Sequence, residues 1–374
     1  MNSSISPQKD RKTAVAAVMT GAGKDFSLRE YPVTPPAAGY ARLSLIASGV
    51  CGTDLHIHSG RLGVRTPAVI GHEFVGRIEA LSPQSNEQGL SAGDACIVDI
   101  AVPCGRCALC LSGDDANCVN MGVTNGGNPD DPPHFHGGYA EVTYAPLANL
   151  IRIPDGVDPK TAAVFACAGP TALHAFSLAE RAGVSAGAVK TAVVQGLGPV
   201  GAFAVLYLRS LGIPNIVAVT ARAVEKRAET ARALGATAVV SLEKDGLDGV
   251  SSLISSLSGG LGADLVYEAS GKPASFAQGL TLLRNRGVYL VPGQYSNSGP
   301  VSIEPQLITF KALHILGSSQ YSLCDVRAYT KLLAAHPEYA AVIGPLAAEY
   351  PLREIQRAVK DAAEGKNVKT LLVP

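Results

Sequence analysis

Two patterns of apolar and polar positions divide the chain. Between about residues 40 and 150, short β-like runs are separated by loops rich in glycine, proline and aspartate, and the runs are ARLSLIAS, EFVGRIEAL, DACIVDI and YAEVTYA. This pattern predicts strands with no long helix between them. We therefore expect a β-rich domain whose loops are long enough to carry a site.

From about residue 170 to 316 the pattern changes to apolar runs that alternate with helical stretches. The apolar runs are TAVVQ, NIVAVT, ATAVVSL, DLVYEA and GVYLV, with FKALHILG as a sixth. Continuous apolar runs of this kind predict buried parallel strands. Helical stretches such as AVEKRAETARAL and PASFAQGLTLLR lie between them, which predicts successive βαβ units. The segment after about residue 318 predicts helices and a terminal strand, KTLLVP.

The amino-acid composition limits the classes of function that this protein can have. The 374 residues suggest two or three domains. Lysine plus arginine and aspartate plus glutamate both number 31, and this balance gives no support for a nucleic-acid binder. The uncharged stretch 191–208 contains glycine, proline and glutamine, which favours a strand, a turn and a helix over a membrane span. The N-terminus lacks a long apolar region, so we expect no secretory signal and a cytoplasmic location.

Four of the eight cysteines crowd into one short segment. Cys104, Cys107, Cys110 and Cys118 have the spacing C-x2-C-x2-C-x7-C. This spacing is too tight for a disulfide framework in so long a chain and indicates metal binding in a reducing compartment. Four thiolates can close a tetrahedral, structural zinc site. Four reduced core cysteines are the alternative, and the motif alone also permits an iron–sulfur cluster.

Three further metal-capable residues are scattered along the chain. Cys51, His72 and Cys167 would each, taken alone, be ordinary core or half-buried residues. Together they offer two thiolates and one imidazole, the ligand set of a catalytic zinc site that keeps an open position. A zinc ion there would lower the pKa of a bound alcohol toward neutrality.

A glycine-rich turn follows the strand TAVVQ and opens an apolar helix. Its residues are Gly196, Gly198, Pro199, Val200 and Gly201, in the pattern G-x-G-x-x-G. A tight turn between a strand and a helix N-terminus is the context that a dinucleotide pyrophosphate requires. A purely structural glycine turn is the alternative.

These motifs occur in an order that identifies a family. The ordered motifs are C-G-T-D-x-H at Cys51, G-H-E at Gly71, the four-cysteine segment, H-G-G-Y-A-E at His136, C-A-G-P-T at Cys167 and G-L-G-P-V-G at Gly196. The sequence resembles the zinc-containing medium-chain alcohol dehydrogenases over nearly the whole chain. The resemblance implies an α/β fold in which a doubly wound Rossmann sheet (169–317) is inserted into a GroES-like β-rich catalytic domain (1–168), to which the C-terminal segment (318–374) returns.

The resemblance also implies roles for single residues. It makes Cys51, His72 and Cys167 the catalytic zinc ligands and Glu73 an acidic neighbour that helps ligand exchange. Asp54 would orient the ligand histidine, and Thr53 and His56 would relay the proton to solvent. Thr171 would lie near the nicotinamide and Lys369 near the cofactor pyrophosphate.

Two positions depart from the family pattern. Polyol and threonine dehydrogenases usually carry glutamate where Cys167 stands, so the cysteine favours the alcohol dehydrogenase branch. The common arginine after the first zinc cysteine is Gly52 here, which leaves Lys369 more of the pyrophosphate contact.

We expect a dehydrogenase or carbonyl reductase with two zinc ions per chain and a small alcohol or carbonyl substrate. A specialised polyol or threonine dehydrogenase is one alternative. A non-catalytic zinc protein that binds dinucleotide or nucleic acid is another. The resemblance favours a homodimer or homotetramer.

Cofactor choice depends on the end of the second Rossmann strand. NAD-specific proteins carry an acidic residue there to bind the ribose hydroxyls. Here Thr220 occupies that position, and Arg222 follows with Lys226 and Arg227 close behind. A guanidinium can pair with the 2′-phosphate of NADP, so the sequence favours NADP(H). Binding of NAD through the backbone and Thr220 is the alternative.

Overall fold

The computed structural model describes residues 11–82, 88–294 and 296–374. The first ten residues, which bear on the expected absence of a secretory signal, lie outside the described part, as do residues 83–87 and 295. Within the described residues, no helix is both long and apolar enough to cross a bilayer.

The first part of the chain is dominated by short strands. These are β1 (Thr13–Met19), β2 (Phe26–Pro32), β3 (Tyr40–Val50), β4 (Ala68–Val69), β5 (Phe74–Leu81), β6 (Ala95–Val98), β7 (Ala101–Val102), β8 (Gly122–Val123), β9 (Val142–Pro146) and β10 (Leu150–Arg152). The helices here are α1 (Gly52–His58), α2 (Ala108–Leu111) and α3 (Pro159–Val164). Each of the four runs predicted as strands overlaps one of these strands, although the run that begins at Tyr139 becomes regular only at Val142.

The middle of the chain alternates helices and strands. The elements are α4 (Ala168–Arg181), β11 (Thr191–Gln195), α5 (Pro199–Ser210), β12 (Asn215–Thr220), α6 (Glu225–Leu234), β13 (Ala238–Ser241), α7 (Leu242–Leu257), β14 (Ala263–Glu268), α8 (Pro273–Leu282), β15 (Leu283–Val291), α9 (Gln306–Phe310) and β16 (His314–Gly317). The strands form one sheet in the order β13-β12-β11-β14-β15-β16, and every neighbouring pair is parallel. The predicted doubly wound sheet is confirmed.

The last segment contains α10 (Leu323–Ala335), α11 (Ala340–Ile343), β17 (Ala347–Pro351), α12 (Ile355–Ala363) and β18 (Lys369–Val373). Strand β18 pairs antiparallel with β3, with Thr370 opposite Val50. The resulting sheet has the order β10-β6-β5-β3-β18-β17, and β9 also pairs with β3. The β-rich, GroES-like part predicted from the resemblance is therefore present, and the end of the chain joins its sheet. The exact domain boundaries stay a prediction.

Aromatic packing connects the segment before α4 to α5 and α10. The ring of Phe203 on α5 packs edge-on against Phe165 and against Tyr329 of α10, with ring centroids 5.4 and 5.5 Å apart. The hydroxyl of Tyr329 donates to the carbonyl of Ala162 at 2.9 Å. Edge-to-face contacts of buried rings add to the free energy of area burial. This packing fixes the short segment that leads to Cys167.

A buried polar contact joins α4 to the start of α10. The ring Nδ1 of His174 lies 2.9 Å from a carboxylate oxygen of Asp325. The same oxygen accepts the backbone N–H of Ser322 at 2.9 Å and its hydroxyl at 3.0 Å, which caps α10. Because both His174 and Asp325 are buried, this contact holds the two helices in a fixed relation.

Asp99, just after β6, is a buried carboxyl group with an incomplete set of partners. One oxygen accepts the N–H of Ala101 at 2.9 Å, and the other is buried without a hydrogen-bond partner among the described residues. Burial, together with the nearby carboxylates of Asp115 and Asp325, raises the pKa of Asp99 to about 7. In the folded protein the protonated form is therefore favoured below about pH 7.

We expect Asp99→Asn to gain stability relative to the wild type as the pH rises from 5 to 8. The unfolded carboxyl group ionises near pH 4 and the folded one near pH 7. The unfolded state therefore loses its proton first, and wild-type stability falls across this interval. The difference in melting temperature between variant and wild type should grow by roughly 2 °C or more.

Thermal melts at both pH values test this, with the exposed Asp25→Asn as the matched control. The control should show the same difference from the wild type at pH 5 and at pH 8. An equally constant difference for Asp99→Asn would contradict the expectation.

Candidate active site

The four clustered cysteines converge on one point beside α2. Their sulfur atoms all lie within 4.8 Å of one another. The Sγ of Cys107 is 3.5 Å from that of Cys110 and 3.9 Å from that of Cys118. Backbone N–H groups of Cys104 and Asn120 point at the Cys118 sulfur, at 3.2 and 3.4 Å.

These distances fit a single metal ion. A tetrahedron with zinc–sulfur bonds of about 2.3 Å places its sulfurs roughly 3.8 Å apart. Thiolates that held a multi-iron cluster would be spread further, because the cluster atoms would lie between them. With four sulfur donors and no open position, the cluster of Cys104, Cys107, Cys110 and Cys118 is a candidate structural zinc site.

A second candidate metal site is assembled from three separate segments. The donor atoms of Cys51, His72, Glu73 and Cys167 lie within 4.8 Å of one another. Cys51 follows β3 and precedes α1, His72 and Glu73 immediately precede β5, and Cys167 precedes α4. The sequence predicted the two cysteines and the histidine as ligands, and the fold brings all three together.

Asp54 orients two of these donors. One of its oxygens lies 3.0 Å from the Nδ1 of His72, and the other accepts the backbone N–H of Cys51 at 3.0 Å. A proton on Nδ1 leaves Nε2 as the free donor nitrogen, which is how metal-bound histidines are usually held. Burial alone would lower the pKa of His72, but the negative charges of Asp54 and Cys51 raise it well above its usual value.

The pKa values of the two cysteines of this site are shifted in opposite directions. A hydrogen bond from the Cys167 thiol holds the pKa of Cys51 well below its usual value. The same contact and burial raise the pKa of Cys167 well above the usual value. Two thiolates and an imidazole form a donor set that suits zinc.

Lys369 lies behind this site rather than at the surface. Its ammonium group pairs with the carboxylate of Glu73, and both side chains are about 1% exposed. Burial raises the pKa of Glu73 to about 7, and the charge of Lys369 acts against that rise. Gly49 lies on β3, next to β18. A Cβ at this position would collide with the Glu73 carboxylate, so only glycine fits there. A pyrophosphate contact by Lys369, which the resemblance implied, would require it to leave Glu73.

Helix α1 carries the two predicted relay residues. The hydroxyl of Thr53 lies 4.0 Å from the sulfur of Cys51. His56 lies one turn further along, half-buried, and its Nδ1 is buried without a hydrogen-bond partner among the described residues. Burial lowers the pKa of His56, and the positive charges of Arg61 and Lys272 lower it further. His56 is therefore poised as a neutral base near pH 7.

Thr171, in the first turn of α4, also lies at this site. Its hydroxyl donates to the carbonyl of Cys167 at 2.8 Å and lies 3.8 Å from the Cys167 sulfur. The structure therefore places it beside the candidate metal ligands. Its predicted proximity to the nicotinamide stays a prediction.

The glycine-rich turn lies at the carboxyl end of β11. Gly196 has φ 91°, and a Cβ there would lie 2.8 Å from the Cα of Ser270. A Cβ at Gly201 would collide with the carbonyl oxygen of Gly196. Pro199 and Val200 begin α5. Apart from Gly198 and its two chain neighbours, no described residue has an atom within 4 Å of a Cβ built on Gly198. The turn thus has the compact form that the motif predicts, with open space at the helix N-terminus.

The end of β12 exposes the predicted cofactor-selecting residues. The Thr220 hydroxyl donates to the carbonyl of Arg222 at 2.9 Å. Arg222 is exposed, and its guanidinium makes no hydrogen bond or ion pair within the described ranges. The guanidinium of Arg227 is already bound to the carbonyl of Gly365 at 2.9 Å. Sequence reasoning missed Glu243, whose carboxylate accepts the Ala223 N–H at 3.0 Å.

Two family models match the chain. Residues 37–155 match the alcohol dehydrogenase GroES-like domain, and residues 199–335 match the zinc-binding dehydrogenase domain. The 5-exo-hydroxycamphor dehydrogenase of Pseudomonas putida is 33% identical over 78% of this chain and 79% of its own. The L-threonine 3-dehydrogenase of Bacillus subtilis is 29% identical over 93% of this chain and 94% of its own.

Solved structures agree in fold. An alcohol dehydrogenase from Thermotoga maritima superposes with a TM-score of 0.88 at 25% identity, covering 97% of this chain and 99% of that one. A putative zinc-binding dehydrogenase from Sinorhizobium meliloti, bound to NADP, gives 0.82 at 26% identity over 97% and 100%. Acetophenone reductase from Geotrichum candidum, in complex with NAD, gives 0.78 at 25% identity over 98% of each chain.

These matches argue against the non-catalytic alternative, since both family models and the named relatives describe dehydrogenases. The chain belongs to the zinc-containing medium-chain alcohol dehydrogenase family and is a zinc-dependent, NAD(P)-linked dehydrogenase that acts on alcohols.

Proposed function

We propose that Cys51, His72 and Cys167 hold a zinc ion at which an alcohol substrate exchanges a hydride with NAD(P). The observation that carries this assignment is the Asp54–His72 hydrogen bond, which leaves Nε2 free beside two cysteine sulfurs. Zinc would supply Lewis acidity that lowers the pKa of the substrate hydroxyl, and the nicotinamide would accept or return the hydride.

The residues around the site would position the ligands and transfer the substrate proton. Asp54 fixes the orientation of the ligands, and Lys369 holds the Glu73 carboxylate beside them. Thr53 presents a hydroxyl beside Cys51 that can accept and pass on the substrate proton. His56 can take that proton at its ring and give it to solvent, because its lowered pKa keeps the ring neutral and its Nδ1 has no hydrogen-bond partner in the described part of the chain.

The second zinc ion would be held by Cys104, Cys107, Cys110 and Cys118 and would stabilise the loop around α2. We propose alcohols and the corresponding carbonyl compounds as the substrate class. A specialised dehydrogenase is the second candidate, since relatives are named for threonine and for 5-exo-hydroxycamphor. A homodimer or homotetramer stays a prediction.

We also propose that NADP(H) is preferred over NAD. The residue at the end of β12 is Thr220 and not an acidic residue. Two residues further on, the guanidinium of Arg222 has no hydrogen bond or ion pair to any residue that the structure describes. Glu243 lies close to the same loop, but its carboxylate already accepts the backbone N–H of Ala223. A relative of similar fold binds NADP and another binds NAD, so the family accommodates either cofactor.

Cys167→Ala should lose one zinc ion per chain and nearly all turnover while the fold persists. Cys107→Ala should lose the other zinc ion and mainly reduce stability, because metal binding there is coupled to local folding. Zinc content, circular dichroism and activity on a panel of primary, secondary and polyhydroxy alcohols with both cofactors test this. The exposed Cys324→Ala should keep both ions and full activity. A Cys167→Ala protein with full zinc and activity would remove Cys167 from the site.

His56→Gln should slow alcohol oxidation most at low pH. Bulk hydroxide is then scarce, so the loss of a base is felt most strongly. We expect a loss of about 10²-fold at the acid end, the lower end for a general base, since water can bypass an accessible relay. The pH–rate profile is the measurement, and His58→Gln on the same helix is the control. An unchanged profile would exclude His56 from proton transfer.

Arg222→Ala should lower the ratio of kcat/KM for NADP to that for NAD by about tenfold. The variant removes a charge-assisted contact to the 2′-phosphate, and tenfold corresponds to about 1.4 kcal/mol. Arg227→Ala is the control, because its guanidinium is bound to Gly365. A strong NAD preference in the wild type that persists in Arg222→Ala would refute the NADP assignment.

A further inference from the structure

Hydride transfer at the proposed site joins two parts of the fold. The glycine-rich turn at Gly196 lies at the edge of the parallel sheet, whereas Cys51 and His72 belong to the β-rich part. Reacting atoms have to lie about 3 to 3.5 Å apart, and a misplacement of roughly 1 Å can slow a reaction about a hundredfold. Contacts that fix the parallel sheet relative to the zinc ligands therefore bear on the rate.

The loop 364–368 is firmly attached to the β-rich part. It connects α12 to β18, which pairs with β3. The backbone N–H of Lys366 donates to the carbonyl of Asp361 on α12 at 3.1 Å, and its ammonium group pairs with the carboxylate of the same residue at 2.7 Å. The side-chain amide of Asn367 donates to the hydroxyl of Thr370 on β18 at 3.1 Å. These contacts make the loop a fixed extension of the β-rich sheet.

Arg227 reaches this loop from the other part of the molecule. It lies in the first turn of α6, the helix that follows β12 of the parallel sheet. Its guanidinium Nη2 donates to the carbonyl of Gly365 at 2.9 Å. Gly365 has φ 67°, and a Cβ there would lie 3.0 Å from the same nitrogen, so glycine permits the close approach. Because the donor is charged, this is a strong hydrogen bond between the two parts of the fold.

The strand that follows this loop also reaches the candidate zinc site. Lys369 begins β18, four residues after Gly365, and its ammonium group pairs with the carboxylate of Glu73. That carboxylate lies within 4.8 Å of the donor atoms of the proposed zinc ligands. The short stretch from Gly365 to Lys369 thus contacts both α6 and the surroundings of the zinc site.

We propose that Arg227 is a positioning residue for hydride transfer, because its bond to Gly365 fixes the cofactor-binding sheet relative to the zinc site. The inference rests on the proposed zinc site and on the proposed cofactor turn. Arg227 acts through the loop 364–368, so its loss slows the reaction with NAD and with NADP by the same factor. The preference between the two cofactors does not change.

Arg227→Met tests this, because methionine keeps an extended side chain and removes every N–H donor. In single-turnover experiments on the zinc-loaded enzyme with saturating cofactor, we expect hydride transfer to be about tenfold slower with either cofactor. With a deuterated alcohol, the isotope effect on kcat should rise, since the hydride step then limits turnover more strongly. Arg227→Lys, which keeps a charged donor, should restore most of the rate.

Two measurements without turnover accompany the kinetics. Hydrogen–deuterium exchange of the loop 364–368 should be faster in Arg227→Met, because the loop has lost its contact with α6. Titration calorimetry should show an unchanged affinity for ADP-ribose, which carries no nicotinamide and reports on the cofactor turn alone. The matched control is Arg232→Met on the same helix, whose guanidinium pairs with Glu225 of α6 at 3.0 Å. This control should leave the rate, the exchange and the affinity unchanged.

The outcomes separate this inference from the proposed function. If the wild type oxidises an alcohol and Arg227→Met transfers hydride equally fast, Arg227 has no positioning role and the proposed function stands. A weaker affinity of Arg227→Met for ADP-ribose would also overturn the inference, because it would make Arg227 part of the cofactor-binding site. So would slower transfer with unchanged exchange, since the loop would then not depend on Arg227. If the zinc-loaded wild type oxidises no alcohol of the panel, the proposed function is wrong and the inference falls with it.

Discussion

Burial of charged side chains where β3, β5 and β18 meet requires that each charge has a partner, because an unpaired buried charge costs several kcal/mol. Asp54 pairs with His72, and Glu73 pairs with Lys369. Lys369 begins the last strand of the chain, so the second pair can form only when β18 is docked on β3. The arrangement of the candidate zinc ligands therefore depends on the closure of the β-rich sheet by β18.

The position of Cys167, the third candidate ligand, depends on a different set of contacts. Cys167 lies where α3 ends and α4 begins, and Phe165 locks this segment against α5 and α10. The contact between His174 and Asp325 joins α4 itself to α10. Packing among α4, α5 and α10 therefore sets the position of a candidate zinc ligand.

The cofactor side follows the general rule for open parallel sheets, in which ligands bind outside the carboxyl ends of the strands. The Gly196 turn, the Thr220 loop and the loop anchored by Glu268 all lie on that edge. The backbone supplies the shape of this edge, and side chains on neighbouring connections supply its charge.

The pattern of apolar residues along the chain was sufficient to predict those strands that are buried along their whole length. TAVVQ and NIVAVT became β11 and β12 with the predicted bounds, since a strand buried on both faces needs a continuous apolar run. The four-cysteine motif also identified its cluster, because its ligands lie within one loop.

Contacts between distant segments were decided by the tertiary structure. The resemblance implies that Lys369 lies near the cofactor pyrophosphate, and this stays a prediction. The pairing of β18 with β3 sets its ammonium group against Glu73, 296 residues away. The residue types and their order determined the family and the kinds of ligand. Strand register and loop packing decided which charge meets which partner, because those distances depend on the whole fold and not on spacing along the chain.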